Sequence, residues 1–505
     1  MAAIRRYARG LDIVTPWIGM DLIRCLKIES QATGSVERMS PPATVGTNGR
    51  RPRVPRSIPS KSLRRSLMTS VSSPTEQLYR EALKYIPGGT SRLHYHYTPF
   101  PIYARSAGGC RLIDVDGVER VDFLNNMTSL IHGHAHPAIV AAIVAQLGRG
   151  TVWSEPGEAE VLLAKAMVER VASLDQIRFA NSGTEAVMLA VKMARAFTGR
   201  AKIAKFEGGY HGYYDYVQVS FGGTPANWGP EDQPASAPTT GGLPPSLLDE
   251  VLVVQYNDRA AVERLMQQHG GELAALLVDP MSVRTGAPMP EPGFLEFLTE
   301  ITRQYGVVLI YDEVISFRVG YHGAQGRYGG TPDLTTFGKV MGGGLPVGAV
   351  GGRIELMAML DPTKGTPKVL SGGTFSGNPL TMVAGLAALE DWTPAAVDRL
   401  NAMGERLRRE GNQAFHDAGE RGQLTGDGSL FRIVLTSDRI TNYRSGVRNA
   451  QPAARMAELH RRLMGSGIII GKTGLGCLST PMTDAEVDSF VTALKTALAG
   501  MTRTK

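Results

Sequence analysis

Apolar and polar positions divide this chain into stretches of different character. Residues 1–67 show almost no apolar period after Ile28 and are broken by Arg-Arg-Pro-Arg-Val-Pro-Arg (50–56). Such a stretch cannot bury enough surface to fold, so a disordered basic extension is expected. From Pro74 the apolar residues Leu78, Ala82 and Leu83 recur at helical spacing and predict a helix as far as Tyr85. Pro87-Gly88-Gly89 ends it. Residues 110–123 alternate around Asp116-Gly117, which predicts a β-hairpin. His136-Pro137 opens a second helix through Leu147. Between about 155 and 385, helical stretches alternate with short apolar runs at 177–179, 203–206, 251–254, 273–278 and 307–311. The last two runs are apolar on both faces, as strands of a helix-covered parallel sheet are. An α/β fold with a large open sheet follows, and ligands of such sheets bind beyond the carboxyl ends of the strands. Residues 222–245, rich in Gly, Pro, Thr and Ala, predict a long surface loop. From 386 onward, helices flank weak strands near 430–435 and 467–470, which predicts a smaller α+β domain.

At 505 residues the chain exceeds a single simple core. Its 43% apolar and 20% charged residues are those of an ordinary globular enzyme. The net charge of +7 is concentrated at one end. Residues 1–67 carry 13 of the 54 Lys and Arg and 4 of the 47 Asp and Glu, leaving 41 basic and 43 acidic residues in the body. A body at −2 has no nucleic-acid signature, and no apolar run is long enough to span a bilayer. Cys25, Cys110 and Cys477 are too few and too dispersed for a disulfide framework or a metal cluster. A cytoplasmic enzyme is expected. Residues 1–67 fit a transit peptide, a basic arm, or sequence upstream of a start at Met68.

Lys339 lies in Asp-Leu-Thr-Thr-Phe-Gly-Lys-Val-Met-Gly-Gly-Gly-Leu-Pro-Val-Gly (333–348). Small and apolar neighbours would desolvate its amine and favour the neutral, nucleophilic form that Schiff-base chemistry requires. Alone, the pattern fits a surface lysine in a Gly-rich loop better. Ser182, Gly183 and Thr184 stand between a predicted strand and a helix running to about Phe197, where free N–H groups and the helix dipole suit a phosphate or ordinary capping. Asp312 ends the apolar run 307–311, where a carboxylate is costly unless paired. It could hold a cationic ring nitrogen or form a structural ion pair. Tyr210 could stack on a flat ring and His211 could reach its polar edge. Thr374, in a second Gly-rich turn (372–379), could bond a phosphate.

These residues together resemble the class III, fold-type I aminotransferases that use pyridoxal 5'-phosphate, and most closely their glutamate-1-semialdehyde aminomutase branch. The resemblance covers about residues 75–497. It rests on Gly-His-Ala-His-Pro (133–137), Asn-Ser-Gly-Thr-Glu-Ala (181–186), Phe-Glu-Gly-Gly-Tyr-His-Gly (206–212), Asp-Glu-Val (312–314), Pro-Asp-Leu-Thr-Thr-Phe-Gly-Lys (332–339) and Gly-Thr-Phe-Ser-Gly-Asn-Pro (373–379). It implies a large sheet domain over 131–385 and a smaller α+β domain from both chain ends, 68–130 and 386–505. It implies that Lys339 is the Schiff-base lysine and proton carrier. Asp312 would keep the cofactor's pyridine nitrogen protonated, Gly183 and Thr184 would hold the phosphate, and Tyr210 and Val314 would cover the ring's two faces. Thr374 would reach the phosphate from the partner subunit of a homodimer. The His132, His134 and His136 spacing could pass for a metal site, but the family uses this turn as a structural lead into a helix.

Some segments depart from the aminomutase pattern. Pro-Gly-Gly-Thr-Ser-Arg-Leu (87–93) is closer to relatives acting on β-amino acids, in which an arginine at the place of Arg92 grips the substrate carboxylate. The run 125–130 lacks the aminomutases' Trp-Gly-Pro-like sequence, and Asp279 stands where the family usually has Glu. Relatives carry a second arginine near the carboxy-terminal strand, where this chain either uses Lys472 for the substrate contact or lacks that contact. The expected activity is transfer of an amino group from an amino acid, such as a β-amino acid, to a 2-oxo acid. The alternative is the aminomutase reaction, which exchanges amine and carbonyl within one substrate. A racemase or epimerase, or a regulator retaining the cofactor without chemistry, fits less of the sequence.

Overall fold

The structure, a computed structural model, describes residues 72–448 and 450–501. The expected extension 1–67 and a start at Met68 lie outside them. Helix α1 (Pro74–Ala82) begins on Ser73, whose hydroxyl accepts the Glu76 N–H. It ends three residues before the predicted Tyr85. Its apolar face is not packed here: Leu78 and Leu83 are exposed, and the buried residue is Thr75, whose N–H donates to Asp116 Oδ1 at 2.9 Å.

Strands β1 (Ala104–Gly108), β2 (Arg111–Asp114) and β3 (Glu119–Asp122) form an antiparallel meander, with the predicted hairpin turn at Asp116-Gly117. Helices α2 (Pro137–Leu147) and α3 (Glu158–Arg170) lead into the main sheet. Its strands are β4 (Gln176–Ala180), β5 (Lys202–Phe206), β6 (Val251–Val254), β7 (Leu273–Val278), β8 (Val308–Asp312), β9 (Leu334–Gly338) and β10 (Gly348–Gly352). The spatial order is β4-β10-β9-β8-β7-β5-β6, with β10 alone antiparallel to its neighbours. The intervening helices α4 (Gly183–Thr198), α5 (Arg259–His269) and α6 (Phe294–Tyr305) cover the sheet, and β7 and β8 are buried along their whole length.

Two central strands were not legible as strands. Strand β9 reads Leu-Thr-Thr-Phe-Gly and β10 reads Gly-Ala-Val-Gly-Gly. Both lack the apolar run of a buried strand, because α4 lies close against them and leaves little room for side chains.

Helices α7 (Pro379–Asp391) and α8 (Pro394–Ala418) carry the chain to β11 (Gln423–Thr425) and β12 (Leu430–Val434). After α9 (Ala453–Gly465) come β13 (Ile468–Ile469) and β14 (Leu475–Cys477), and α10 (Asp484–Gly500) closes the described chain. Strand β13 pairs in parallel with β3, so residues far apart in sequence share one small sheet. Strands β11, β12 and β14 form another.

The segment 222–245 has no helix of three full turns and no ladder strand, yet it is not a free surface loop. Trp228 and Ala237 are buried in it. Arg444, itself buried, donates to the Trp228 carbonyl at 2.6 Å and the Gly229 carbonyl at 3.0 Å. The same guanidinium pairs with buried Glu207 at 2.7 Å.

Candidate active site

Strand ends assemble the site. Strand β4 runs out into Asn181-Ser182, β7 into Asp279, β8 into Asp312 and β9 into Lys339. These ends border a cavity of about 350 Å³. It also brings together Gly183, Thr184, Tyr210, His211, Val314 and Arg92, as the sequence predicts. Val314 follows directly from the end of β8. Tyr210 and His211 come from the turn after β5, which is fastened to the start of α4 by the Tyr213 N–H donating to Thr184 Oγ1 at 3.2 Å.

Asp312 is buried and held by three donors. His211 Nδ1 lies 2.7 Å from Oδ2, and the Val314 N–H and Thr336 hydroxyl each lie 3.1 Å from Oδ1. Burial pushes the His211 imidazole down from its ordinary value, against the opposing pull of Asp312. A neutral ring with its proton on Nδ1 then donates to Asp312. The other ring nitrogen, Nε2, is buried without a partner among the described residues. His211 therefore positions the carboxylate, a more specific role than reaching a polar edge.

Burial likewise pushes the Lys339 amine down, with the Asp312 and Asp279 charges opposing. No described residue hydrogen-bonds it. Its backbone φ of 49° is left-handed, a sparsely populated conformation for lysine and of a kind that clusters at functional sites. Of the glycines after it, Gly343 serves packing and Gly344 lines the cavity. A Cβ at Gly343 would lie 2.2 Å from the Ala384 carbonyl oxygen on α7, at a φ of +59°. Asp279 is also buried against the cavity, and burial followed by the Asp312 charge drives its carboxyl well up, toward the protonated form.

Ser182 caps α4 by accepting the Glu185 N–H at 3.2 Å, so its hydroxyl is already engaged. The N–H groups of Gly183 and Thr184 have no preceding helical carbonyl to accept them. At Gly183 a Cβ would meet both Val314 methyls at 3.0 Å, so this helix end reaches the cavity as bare backbone. An anion cradle, a fixed carboxylate, a desolvated amine and an aromatic wall fit pyridoxal phosphate.

Two predicted residues lie elsewhere. Thr374 is exposed, in a separate surface depression beside Trp153 and Glu155. The Lys472 ammonium donates to the Leu93 and His96 carbonyls at 3.0 and 3.1 Å. It lines a second cavity, of about 610 Å³, that shares Arg92, Asn126 and Gly344 with the first. Its side chain fastens the segment carrying Arg92 and does not enter the lysine's cavity. The three histidines do not form a ligand set, although the His132 and His136 rings lie 5.0 Å apart. His132 contacts Thr480 Oγ1 and the Ala388 carbonyl, His134 contacts Asp122, and His136 faces Asp391. Among the described residues no three ligating groups converge.

Sequence reading missed Asn126, Thr336 and Arg318. Residues 125–128 all adopt left-handed backbone, with φ of 47°, 49°, 56° and 71°. This turn aims Asn126 Oδ1 at Arg92 Nη1, 2.8 Å away, and at the Tyr95 hydroxyl, 3.0 Å away. Buried Arg318 donates to the Thr128 carbonyl at 2.8 Å, to Ser429 Oγ at 3.0 Å and to the Leu478 carbonyl, clamping that turn. Nothing local signals a left-handed turn of non-glycine residues. Asp279 had a usable signal, since like Asp312 it is an acid following a wholly apolar run.

The family model for class III aminotransferases matches residues 93–498. The chain is 37% identical over 430 residues to glutamate-1-semialdehyde 2,1-aminomutase of Methanothermobacter thermautotrophicus, covering 85% of this chain and 99% of that one. Among solved structures it resembles an omega-transaminase from Sphaerobacter thermophilus at 49% identity and a TM-score of 0.82, covering 85% of this chain and 98% of that one. It also resembles a β-phenylalanine aminotransferase from Variovorax paradoxus at 34% identity and a TM-score of 0.77, covering 84% and 94%. The chain therefore belongs to the class III aminotransferases, fold-type I enzymes that work with pyridoxal 5'-phosphate.

Proposed function

We propose that this enzyme transfers the amino group of a β-amino acid to a 2-oxo acid. Arg92 carries the reading. Its guanidinium lies on the cavity wall, 4.1 Å over the Tyr95 ring, with one nitrogen on Asn126 and no carboxylate partner among the described residues. A fork held that way suits a substrate carboxylate. The likeness to solved proteins named transaminase and β-phenylalanine aminotransferase supports the same reading.

Bound, pyridoxal phosphate supplies an aldehyde for Schiff-base exchange and a ring that withdraws electrons. Lys339 would supply the amine that meets the cofactor's aldehyde and would carry the substrate proton. Asp312, oriented by His211, Val314 N–H and Thr336, keeps the ring nitrogen protonated. Gly183 and Thr184 hold the phosphate. Tyr210 and Val314 wall the ring. The enzyme is a homodimer in which the partner's Thr374 completes the phosphate site. Support comes from the exposed apolar Val144, Leu147, Trp153, Leu162, Leu370 and Phe375, several of them on the segments that flank Thr374. The cytoplasmic reading rests on cysteine usage. Cys110 and Cys477 are free and buried, and no helix among the described residues is long and apolar enough to cross a membrane.

The aminomutase reaction is the second reading, favoured by the 37% identity to an enzyme so named. A donor screen separates the two. β-Amino acids should convert the cofactor's visible spectrum and require a 2-oxo acid for turnover. Turnover of glutamate-1-semialdehyde with no added acceptor, and silence toward β-amino acids, would select the aminomutase.

A further inference from the structure

Arg284 is an exception among the enclosed arginines. Arg318 donates to three acceptors, Arg444 to Glu207 and two carbonyls, and Arg200 to four carbonyls. Arg284, partly buried, donates to none among the described residues. Its guanidinium instead faces two rings, Tyr210 at 5.3 Å and Phe221 at 4.7 Å. Tyr210 is a wall of the lysine's cavity.

The loop that carries Arg284 follows β7 and Asp279, at the carboxyl end of the sheet. It is fastened to the small sheet by Arg432, whose Nη1 donates to the Val283 carbonyl at 2.8 Å. His94, Arg432, Tyr210, Tyr213 and Tyr443 sense Arg284, and among the described residues no carboxylate forms an ion pair with it. Burial, and then the charges of Arg284, Lys472, Arg92 and Lys339, push the His94 imidazole down. The carboxylates that Tyr210 and Tyr443 sense, Asp312 and Glu207, are already engaged by His211 and Arg444. Burial already pushes the Arg284 guanidinium down. Ring contacts of this kind offset only part of the cost of desolvating a cation, whereas a carboxylate would match its planar fork with two hydrogen bonds.

We propose that Arg284 binds the distal carboxylate of a dicarboxylic 2-oxo acid and so selects the amino acceptor. The proposal rests on the aminotransferase reading. It assigns the two forks different tasks: Arg92 meets the donor's carboxylate, and Arg284 meets the acceptor's second one. A monocarboxylic 2-oxo acid would leave Arg284 without an anion.

The test compares holoenzymes of wild type, Arg284→Met and Arg284→Lys, with one amino donor at saturation and 2-oxoglutarate, oxaloacetate or pyruvate as acceptor. Wild type should prefer a dicarboxylic acceptor. In Arg284→Met the kcat/KM ratio of that acceptor to pyruvate should fall 10- to 100-fold, through KM. Arg284→Lys should fall between, because it keeps the charge and loses the fork. Bound-cofactor absorbance and thermal melts check folding, and if Arg284→Met fails to fold, a drop of at least three-fold in the ratio for Arg284→Lys decides. A wild type that prefers pyruvate, a ratio that stays within two-fold, or equal losses for all acceptors would overturn the assignment. A wild type that passes no amino group from any donor to any acceptor would instead overturn the aminotransferase reading.

Discussion

Removing Arg92 should weaken only substrates that carry a carboxylate. One terminal nitrogen of Arg92 is taken by Asn126 Oδ1 at 2.8 Å. No described residue accepts from its other two nitrogens, which leaves one edge of the fork for a carboxylate. Charge-assisted hydrogen bonds contribute about 1.5–3 kcal/mol each where water is excluded. Arg92 is exposed, so solvent screening brings each bond below that range, and about 2 kcal/mol for the two together corresponds to roughly 30-fold in KM. Arg92→Ala should therefore raise KM for β-phenylalanine by roughly 30-fold with a much smaller change in kcat. Asn126→Ala frees the guanidinium without deleting it and should cost roughly 5- to 10-fold in the same parameter, about 1 kcal/mol. The control is 1-phenylethylamine, which has the same aryl amine and no carboxylate. Its kcat/KM should change less than three-fold in both variants. Equal losses for the two donors would refute the reasoning, because they would mean that Arg92 supports the fold of the segment and does not read the substrate.

Lys339→Ala should lose the visible band of the lysine-linked cofactor after dialysis and at least 10³-fold in activity. Because burial lowers this amine's pKa, its neutral form is reached at lower pH than for a free lysine. The rate of cofactor rebinding to apoenzyme should thus rise with pH along a curve centred below the ordinary lysine value of 10.5, and an inflection at or above that value would contradict the desolvated site. Arg444→Met should destabilise the protein by about 3–5 kcal/mol in urea unfolding, since it leaves Glu207 charged and buried. The pair Arg444→Met with Glu207→Leu should recover most of that loss, and a double variant as unstable as the single one would remove the buried charge as the cause. Gly343→Ala, forced against the Ala384 carbonyl in left-handed backbone, should lower stability and weaken cofactor retention together, whereas a silent variant would mean that α7 shifts freely.

What could be read from local pattern was the chemistry at the strand ends. A buried strand needs an apolar run, and the first polar residue after it stands at the carboxyl end of the sheet. That logic puts Asp312 and the 182–184 turn at strand ends, where the structure has them, and it covers Asp279 as well. Helix α2 was legible because Pro137 suits a first turn. Strands β9 and β10 were not, because their small residues answer to the helix lying over them and not to strand propensity. The sequence by itself therefore determined the family, the cofactor and most of the lysine's surroundings, all of which depend on residues close together in the chain.

Only the tertiary structure decided the rest. It turned His211 toward Asp312, brought Asn126 to Arg92 across 34 positions, and fastened Lys472 to the Leu93 and His96 carbonyls. It also packed Gly343 against α7 and left Arg284 without an acceptor among the described residues. Each of these outcomes depends on which distant donor or acceptor a side chain meets. A linear pattern records propensity and period, and the pairing of remote polar groups is settled only when burial makes an unpaired one costly.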